Sequence, residues 1–414
     1  MVHCQSHEAI IKHLDSLKAW REQKKKDLPF PIYTSVDIRD SGYKVVSVDA
    51  NIYPAGFNNI CGTDLENAPA IFDEYIKDHY EKPIKNVLLI TEEHTNNAYY
   101  WENVHALAGF IAESGRNVRV TMPKDLSESM TMETAFGNKV VVSKSKRDAG
   151  TIIVDGNFIP DIIISNNDFS VSYEDWNNGL ETIINPPRGL GWFQRKKSTH
   201  FEYYNQLAAE FADIIKVDPW TLQVETRIMP DFNPNQDASK KDLATQVDEM
   251  IARISANYKK RNLDVKPTVF IKNNAGTYGL AVTKVESGAE VLAWNNRTRT
   301  KMKAAKGGRD VEEIIIQEGV PTTVKSEDAV AEPVIYMLGC QLLGGFLRTH
   351  SEKGATDSLN SPGAIFKRLC VTDLKVQPNK CPPENVYGWI ATLSCLATGL
   401  EAKSMGVEFP GYRP

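Results

Sequence analysis

The sequence predicts a mixed α/β chain of more than one domain, and three observations carry that reading. Short apolar, β-branched runs alternate with helix-period segments almost from end to end. At 414 residues the chain exceeds one ordinary core, and scaling suggests roughly two to three domains of about 100 to 200 residues. The composition, 42% hydrophobic and 24% charged with a formal charge of −5, is that of an ordinary globular chain, and nothing in it suggests a disordered chain, a fibre or a nucleic-acid binder.

The elements follow in chain order. The amino terminus carries Ile10, Leu14 and Leu17 at helical spacing before the run Lys24-Lys25-Lys26, without the continuous apolar stretch of a signal peptide. No segment approaches the roughly 18 apolar residues of a membrane span, so a soluble, cytoplasmic protein without membrane partners is expected. Strands are predicted at 43–48 ("YKVVSV"), 86–91, 117–122, 161–165 ("DIIIS"), 268–272 ("TVFIK"), 313–317 ("EIIIQ") and 334–338. A helix over 97–114 between two of them makes a crossover unit, which predicts largely parallel sheets. Loop-rich 185–200 marks a possible junction. Leu243, Val247, Met250, Ile254 and Tyr258 form the stripe of a surface helix, after which a domain boundary is placed near 265. Residues 385–402 read as a closing helix. The six cysteines, at 4, 61, 340, 370, 381 and 395, show no zinc or thioredoxin spacing and read as reduced thiols.

The P-loop, dinucleotide, zincin and serine-hydrolase signatures do not occur. What remains begins with Lys272 at a strand end, followed by "NNAGTYG", in which Gly276, Thr277, Tyr278 and Gly279 form a turn. Such a turn lets backbone N–H groups approach phosphate while the lysine neutralises charge. An ordinary hairpin is the plain alternative. Further on, "EIIIQEGV" ends a strand in Gln317-Glu318, suited to an adenine edge and a ribose hydroxyl. "AEPVIYMLGCQLLGGFLRTH" reads as a hairpin turning near Gly339 and ending in Arg348, an arginine able to grip a phosphoryl group. Glu332, Asp357 and Asn360 are oxygen ligands of the kind Mg²⁺ prefers. Each of these has a solvated-surface alternative.

Upstream, "SVDIRD" places Asp37 and Arg39 on one face if extended, an acid for an ammonium and an arginine for a carboxylate. The next strand delivers Asp49 and Asn51 from its end, and "GFNN" adds Asn58 and Asn59. For Glu93, His94 and Asn97 the choice lies between an anion site at a helix start and a simple cap. Arg195, Lys196 and Lys197 form a basic run that is either a solvated face or an anion contact.

In order and spacing these blocks resemble the ATP-grasp superfamily and, more narrowly, the proteobacterial glutamate–cysteine ligase family. The narrower resemblance rests on "SVDIRDSGYKVVSVDANIYPAGFNNI", "LLITEEHTNNAYYWEN", "GLGWFQRKKSTHF", "KNNAGTYGLAV", "IIIQEGV", "GGFLRTH" and "LNSPG", spread over about residues 30 to 400. It departs from the family's lid pattern at Asn273-Asn274 and at Leu280-Ala281. The resemblance implies an ATP-grasp-like α/β architecture, with a substrate region over 1–265 and a nucleotide and metal region over 266–414. It also implies ATP and Mg²⁺ as cofactors, L-glutamate and L-cysteine as substrates, and an acyl-phosphate route to γ-glutamylcysteine, the first step of glutathione synthesis. In that scheme Lys272 and Arg348 are catalytic. Lys272, Gly276–Gly279, Gln317 and Glu318 hold the nucleotide, while Asp37, Arg39, Asn51, Asn58, Asn59, Glu93 and Asn97 hold the amino acid. Glu332 and Asn360 hold metal. A related ligase with another amine acceptor, or a nucleotide-binding protein without turnover, are the alternatives.

Overall fold

A computed structural model describes the chain apart from residues 1, 94–95, 276–281, 304–310, 312 and 371–382, and the side chains of 2–3, 303 and 383–384. The expected turn Gly276–Gly279, Ala281, His94 and Cys381 therefore lie outside the described residues.

Three sheets position the site. In the first, here called the joint sheet, Tyr33–Asp40 lies between Val45–Asn51 and Ala329–Leu338, and the latter pairs onward with Gln341–His350 and Ile365–Leu369, all antiparallel. Its late hairpin turns at Gly339, whose φ of 55° and approach to the Tyr75 ring, 2.6 Å from where a Cβ would stand, both call for glycine. The second sheet runs Ile183–Asn185, Ile162–Ser165, Asn86–Ile90, Asn117–Thr121 and Lys139–Val142 in parallel, with Met130–Glu133 antiparallel at its edge. The third, the lysine sheet, orders Thr226–Met229, Ile314–Glu318, Val269–Asn273 and Val282–Val285, all antiparallel.

The expectation of largely parallel sheets thus holds only for the second. There the helix Ala98–Glu113 supplies the crossover that parallel pairing needs, and Ile162–Ser165 is buried throughout, as a strand covered on both faces should be. The "SVDIRD" segment is extended as read. Pairing crosses residue 265 in both antiparallel sheets: Tyr33–Asp40 pairs with Ala329–Leu338, and Thr226–Met229 with Ile314–Glu318.

Helix Asp237–Lys260 buries its predicted stripe against the lysine sheet, in one core with Ile271 and Ile316. Helices Lys197–Ile215 and Pro383–Ser404 cover the joint sheet. The reduced-thiol expectation fails for two cysteines: Cys61 and Cys370 are joined as a disulfide across 309 residues, because the sheet brings the loop after Val45–Asn51 against the edge strand Ile365–Leu369. Cys4, Cys340 and Cys395 are free. Among the described residues no helix is long and apolar enough to cross a membrane.

Candidate active site

The joint sheet and the lysine sheet meet at a cleft with two adjoining chambers. The first, of about 690 Å³, is lined by Asp37, Arg39, Asp49, Lys197, Lys272, Gln317, Glu318, Glu332 and Asn360, with Val48, Phe270, Val282 and Val320 as apolar wall. The second, of about 750 Å³, carries Asp49, Asn51, Tyr53, Trp192, Tyr336, Phe346 and Arg348. Asp37, Asp49 and Asn360 line both.

Antiparallel register explains the acid–base centre. Glu332 stands opposite Arg348 on paired strands, and Asp37 reaches the same guanidinium from the next strand. Arg348 donates to Asp37 Oδ2 at 2.7 Å and to Glu332 Oε1 at 2.6 Å. The other Glu332 oxygen meets Arg39 Nε at 2.8 Å. Arg39 also donates to the carbonyls of Ala355 and Asp357, so its planar fork fastens the loop before Asn360. Burial pushes the Asp37 carboxyl up, Arg348 opposes it and Glu332 adds to it.

Lys272 projects from Val269–Asn273 and donates to Gln317 Oε1 at 2.6 Å and to the Val48 carbonyl at 2.9 Å. Burial lowers its pKa to about 8, with Asp49 pulling the other way. Gln317 Nε2 is buried without a hydrogen-bond partner among the described residues, a donor left over for a ligand acceptor. Glu318 lines the same chamber, yet its carboxylate accepts from Lys44 Nζ at 2.8 and 2.6 Å and from the Glu225 N–H.

The basic run is divided three ways. Arg195 is buried on Glu401 and the Ala50 carbonyl, Lys196 pairs with Glu313, and Lys197 turns into the cleft onto Asp49. That division follows from the helix start. Asn274, at the end of the lysine strand, accepts from the Ser198 N–H through its side chain and from the Lys197 N–H through its carbonyl, so it caps helix Lys197–Ile215 from another element. The departure at Asn274 from the family pattern therefore has a structural occupation here.

The remaining expected residues are scattered. Asn51 closes an Asx turn on Tyr53 while lining the second chamber. Asn58 and Asn59 sit on the turn Phe57–Asn59 and pair with each other. Asn97 caps Ala98–Glu113 by accepting from the Tyr99 N–H, and Glu93 pairs with Lys124 at 3.0 Å. These last four are not brought into the cleft lining. Sequence reading did not pick out Trp192, Tyr53, Tyr336 or the apolar wall. An aromatic in a strand or loop carries no local signal that separates cleft from core.

A family model described as glutamate-cysteine ligase matches residues 7–402. The chain belongs to the glutamate–cysteine ligase family. The ligase is also similar to a crystal structure named "Putative gamma-glutamylcysteine synthetase" from Methylobacillus flagellatus KT, at 32% identity and a TM-score of 0.88, covering 97% of this chain and 96% of that one. Much weaker likenesses are to D-alanyl-alanine synthetase A from Vibrio cholerae (11% identity, TM-score 0.35, 76% of this chain and 82% of that) and to a glutathione synthetase-like effector from Globodera pallida (12%, 0.39, 88% and 80%). No curated protein matches the ligase in sequence. Family membership makes it an enzyme that forms a carbon–nitrogen bond between small molecules.

Proposed function

We propose that the ligase joins L-glutamate to L-cysteine at the expense of ATP, through a γ-glutamyl phosphate, within an ATP-grasp arrangement of the two antiparallel sheets. One observation carries this reading: a single cleft gathers Lys272, Lys197, Gln317 and Glu332 beside an apolar wall and sets Arg348 with Asp37 in the adjoining chamber. The wall of Val48, Phe270, Val282 and Val320 suits a purine, and Gln317 Nε2 supplies a donor to it. Glu318, anchored on Lys44, fixes the strand end beside the nucleoside. The two lysines suit phosphates.

A carboxylate oxygen is a poor leaving group, so the γ-carboxylate of glutamate first attacks the γ-phosphorus and ADP departs. The amine of cysteine then attacks the acyl carbon, phosphate leaves and the nitrogen loses a proton. Arg348 stabilises charge on the transferring phosphoryl group and on the tetrahedral oxyanion, and Lys272 neutralises the nucleotide phosphates. Asp37, Arg39 and Asn51 orient the amino acid at the chamber boundary; Asn58, Asn59, Glu93 and Asn97 belong to the surrounding loops in this scheme.

For a divalent cation the donor chemistry fits: Glu332 and Asn360 are hard oxygen donors facing the cleft, and a carboxylate has lone pairs beyond those given to Arg39 and Arg348. Mg²⁺ held there would supply Lewis-acid neutralisation of phosphate charge. The test is L-glutamate labelled with ¹⁸O in its γ-carboxylate. One labelled oxygen should appear in released phosphate, with release dependent on L-cysteine or another amine. Phosphate without label would eliminate the acyl phosphate, and turnover only with another amine would replace cysteine as acceptor.

A further inference from the structure

We infer that Asp49 and the nucleotide triphosphate compete for the same pair of lysines, so that nucleotide binding hands the Asp49 carboxylate to the ammonium group of the amino-acid substrate. The inference rests on the ligase reading above and deepens it by naming the residue through which the two chambers are coupled.

Placement comes first. Asp49, near the end of Val45–Asn51, is one of the three residues that line both chambers. The other acid among them, Asp37, has both oxygens bonded to Arg348 and is fixed by them. Among the described residues the Asp49 side chain takes one bond, from Lys197 Nζ to Oδ1, and it keeps 37% exposure while the side chain of Lys197 keeps 8%. The acid is therefore open to a ligand, and its lysine partner reaches it from the wall.

The second lysine is countered without direct contact. Lys272 spends its hydrogen bonds on neutral acceptors, Gln317 Oε1 and the carbonyl of Val48, the residue beside Asp49. Among the described residues Asp49 is the carboxylate that supports its charge most, ahead of Asp37. Burial pushes the Asp49 carboxyl up, but Lys197 and Lys272, with a smaller pull from Arg195, outweigh it and bring it down to about 2. Arg195 has its own carboxylate in Glu401, so the two lysines are the exchangeable partners. Lys197 is further steadied by the Trp192 ring, 4.7 Å from its ammonium, which holds it between the chambers.

Two cations on one carboxylate leave a net positive charge. A triphosphate offers several anionic oxygens to the same ammonium groups, and lysine is a flexible point charge able to turn between acceptors. As the lysines turn, Asp49 loses its cation in a semi-enclosed cleft, which is unfavourable unless another cation arrives. The chamber it faces is the one with Asn51, Tyr53 and Arg348, where the ammonium of an α-amino acid restores the balance. Coupling of this kind is reciprocal: nucleotide tightens the amino acid by the factor by which the amino acid tightens nucleotide, in a range of about 5- to 150-fold.

Isothermal titration of the full-length enzyme tests this, using β,γ-imido-ATP with Mg²⁺ as nucleotide probe and L-glutamate and L-cysteine separately as amino acids. In the wild type the analogue should tighten at least one amino acid by about fivefold or more, with the same factor in reverse. Measured at about pH 6, where Lys272 is charged in both enzymes, Asp49→Asn should bind the analogue at least as tightly as wild type, because the lysines no longer have a competing carboxylate, while the amino acid binds more weakly and the coupling falls below about twofold. General damage to the cleft would not preserve nucleotide affinity. Wild-type enzyme without coupling, or Asp49→Asn with weakened analogue binding or full coupling, overturns the inference, and the wild-type measurement needs no variant to fold. If ATP, glutamate and cysteine give no turnover at all, the ligase reading falls; turnover without coupling sinks only the role of Asp49.

Discussion

Gln317 and Glu318 are neighbours on one strand, and each serves a different lysine. Gln317 accepts from Lys272 at the open cleft, whereas Glu318 accepts twice from Lys44, with side chains 3% and 1% exposed and the Trp220 ring 4.3 Å from the ammonium. The difference is one of strand geometry, since successive side chains leave on opposite faces. One lysine meets a neutral amide and remains available to an anion. The other is sealed against a full counter-charge, so it holds the strand end rather than a ligand.

Removing the open lysine should have the largest effect. Lys272→Ala is expected to reduce kcat/KM by about 100-fold or more while the thermal midpoint stays near wild type, because the loss is of charge stabilisation at the phosphates. Wild-type kinetics in that variant would remove Lys272 from the site. The sealed pair should answer in the opposite sense. Glu318→Ala strands Lys44 in the interior and is expected to cost about 3 to 5 kcal/mol in denaturant unfolding, whereas Lys44→Met combined with Glu318→Leu should recover much of that loss. If the single variant unfolds like wild type, the pair is not structural and the contrast collapses.

How far this was legible in the chain depends on the distance between partners. The strands were readable because β-branched runs such as "IIIS" and "IIIQ" declare themselves locally, and the Leu243–Tyr258 stripe declared its helix. The alternation of "SVDIRD" puts Asp37 and Arg39 on one face, and both do line the cleft. What no local pattern contains is the identity of a partner: Asp37 is 311 residues from Arg348, and Lys44 is 274 from Glu318. In sequence Glu318 suits a ribose hydroxyl, and nothing local shows that Lys44 already claims its carboxylate. The run Arg195-Lys196-Lys197 looked uniform, and only the capping of its helix by Asn274 decides which of the three faces the cleft. In the joint sheet the pairing of Tyr33–Asp40 with Ala329–Leu338 spans most of the chain and has no local signature, whereas the other pairings of the two antiparallel sheets join strands much nearer in sequence.

The smallest expected effect is one of pH, and it separates the two lysines by their accessibility. Burial lowers both, but of the two only Lys272, at about 8, lines the cleft proposed for the nucleotide phosphates. Its pKa in the folded protein lies below the ordinary 10.5, so the unfolded chain binds more protons between about 8 and 10.5. This group's contribution to stability is therefore favourable above that window and is lost as pH falls through about 8. Nucleotide binding has the reverse sign, because a phosphate favours the ammonium form. The dissociation constant for β,γ-imido-ATP should be flat below pH 8 and then rise, by at most about tenfold per pH unit for one proton. In Asp49→Asn the rise should begin at lower pH, since the carboxylate that supports the Lys272 charge is gone. An affinity unchanged from pH 7 to 10 would mean that Lys272 does not meet the phosphates, and would return the open lysine to the same structural class as Lys44.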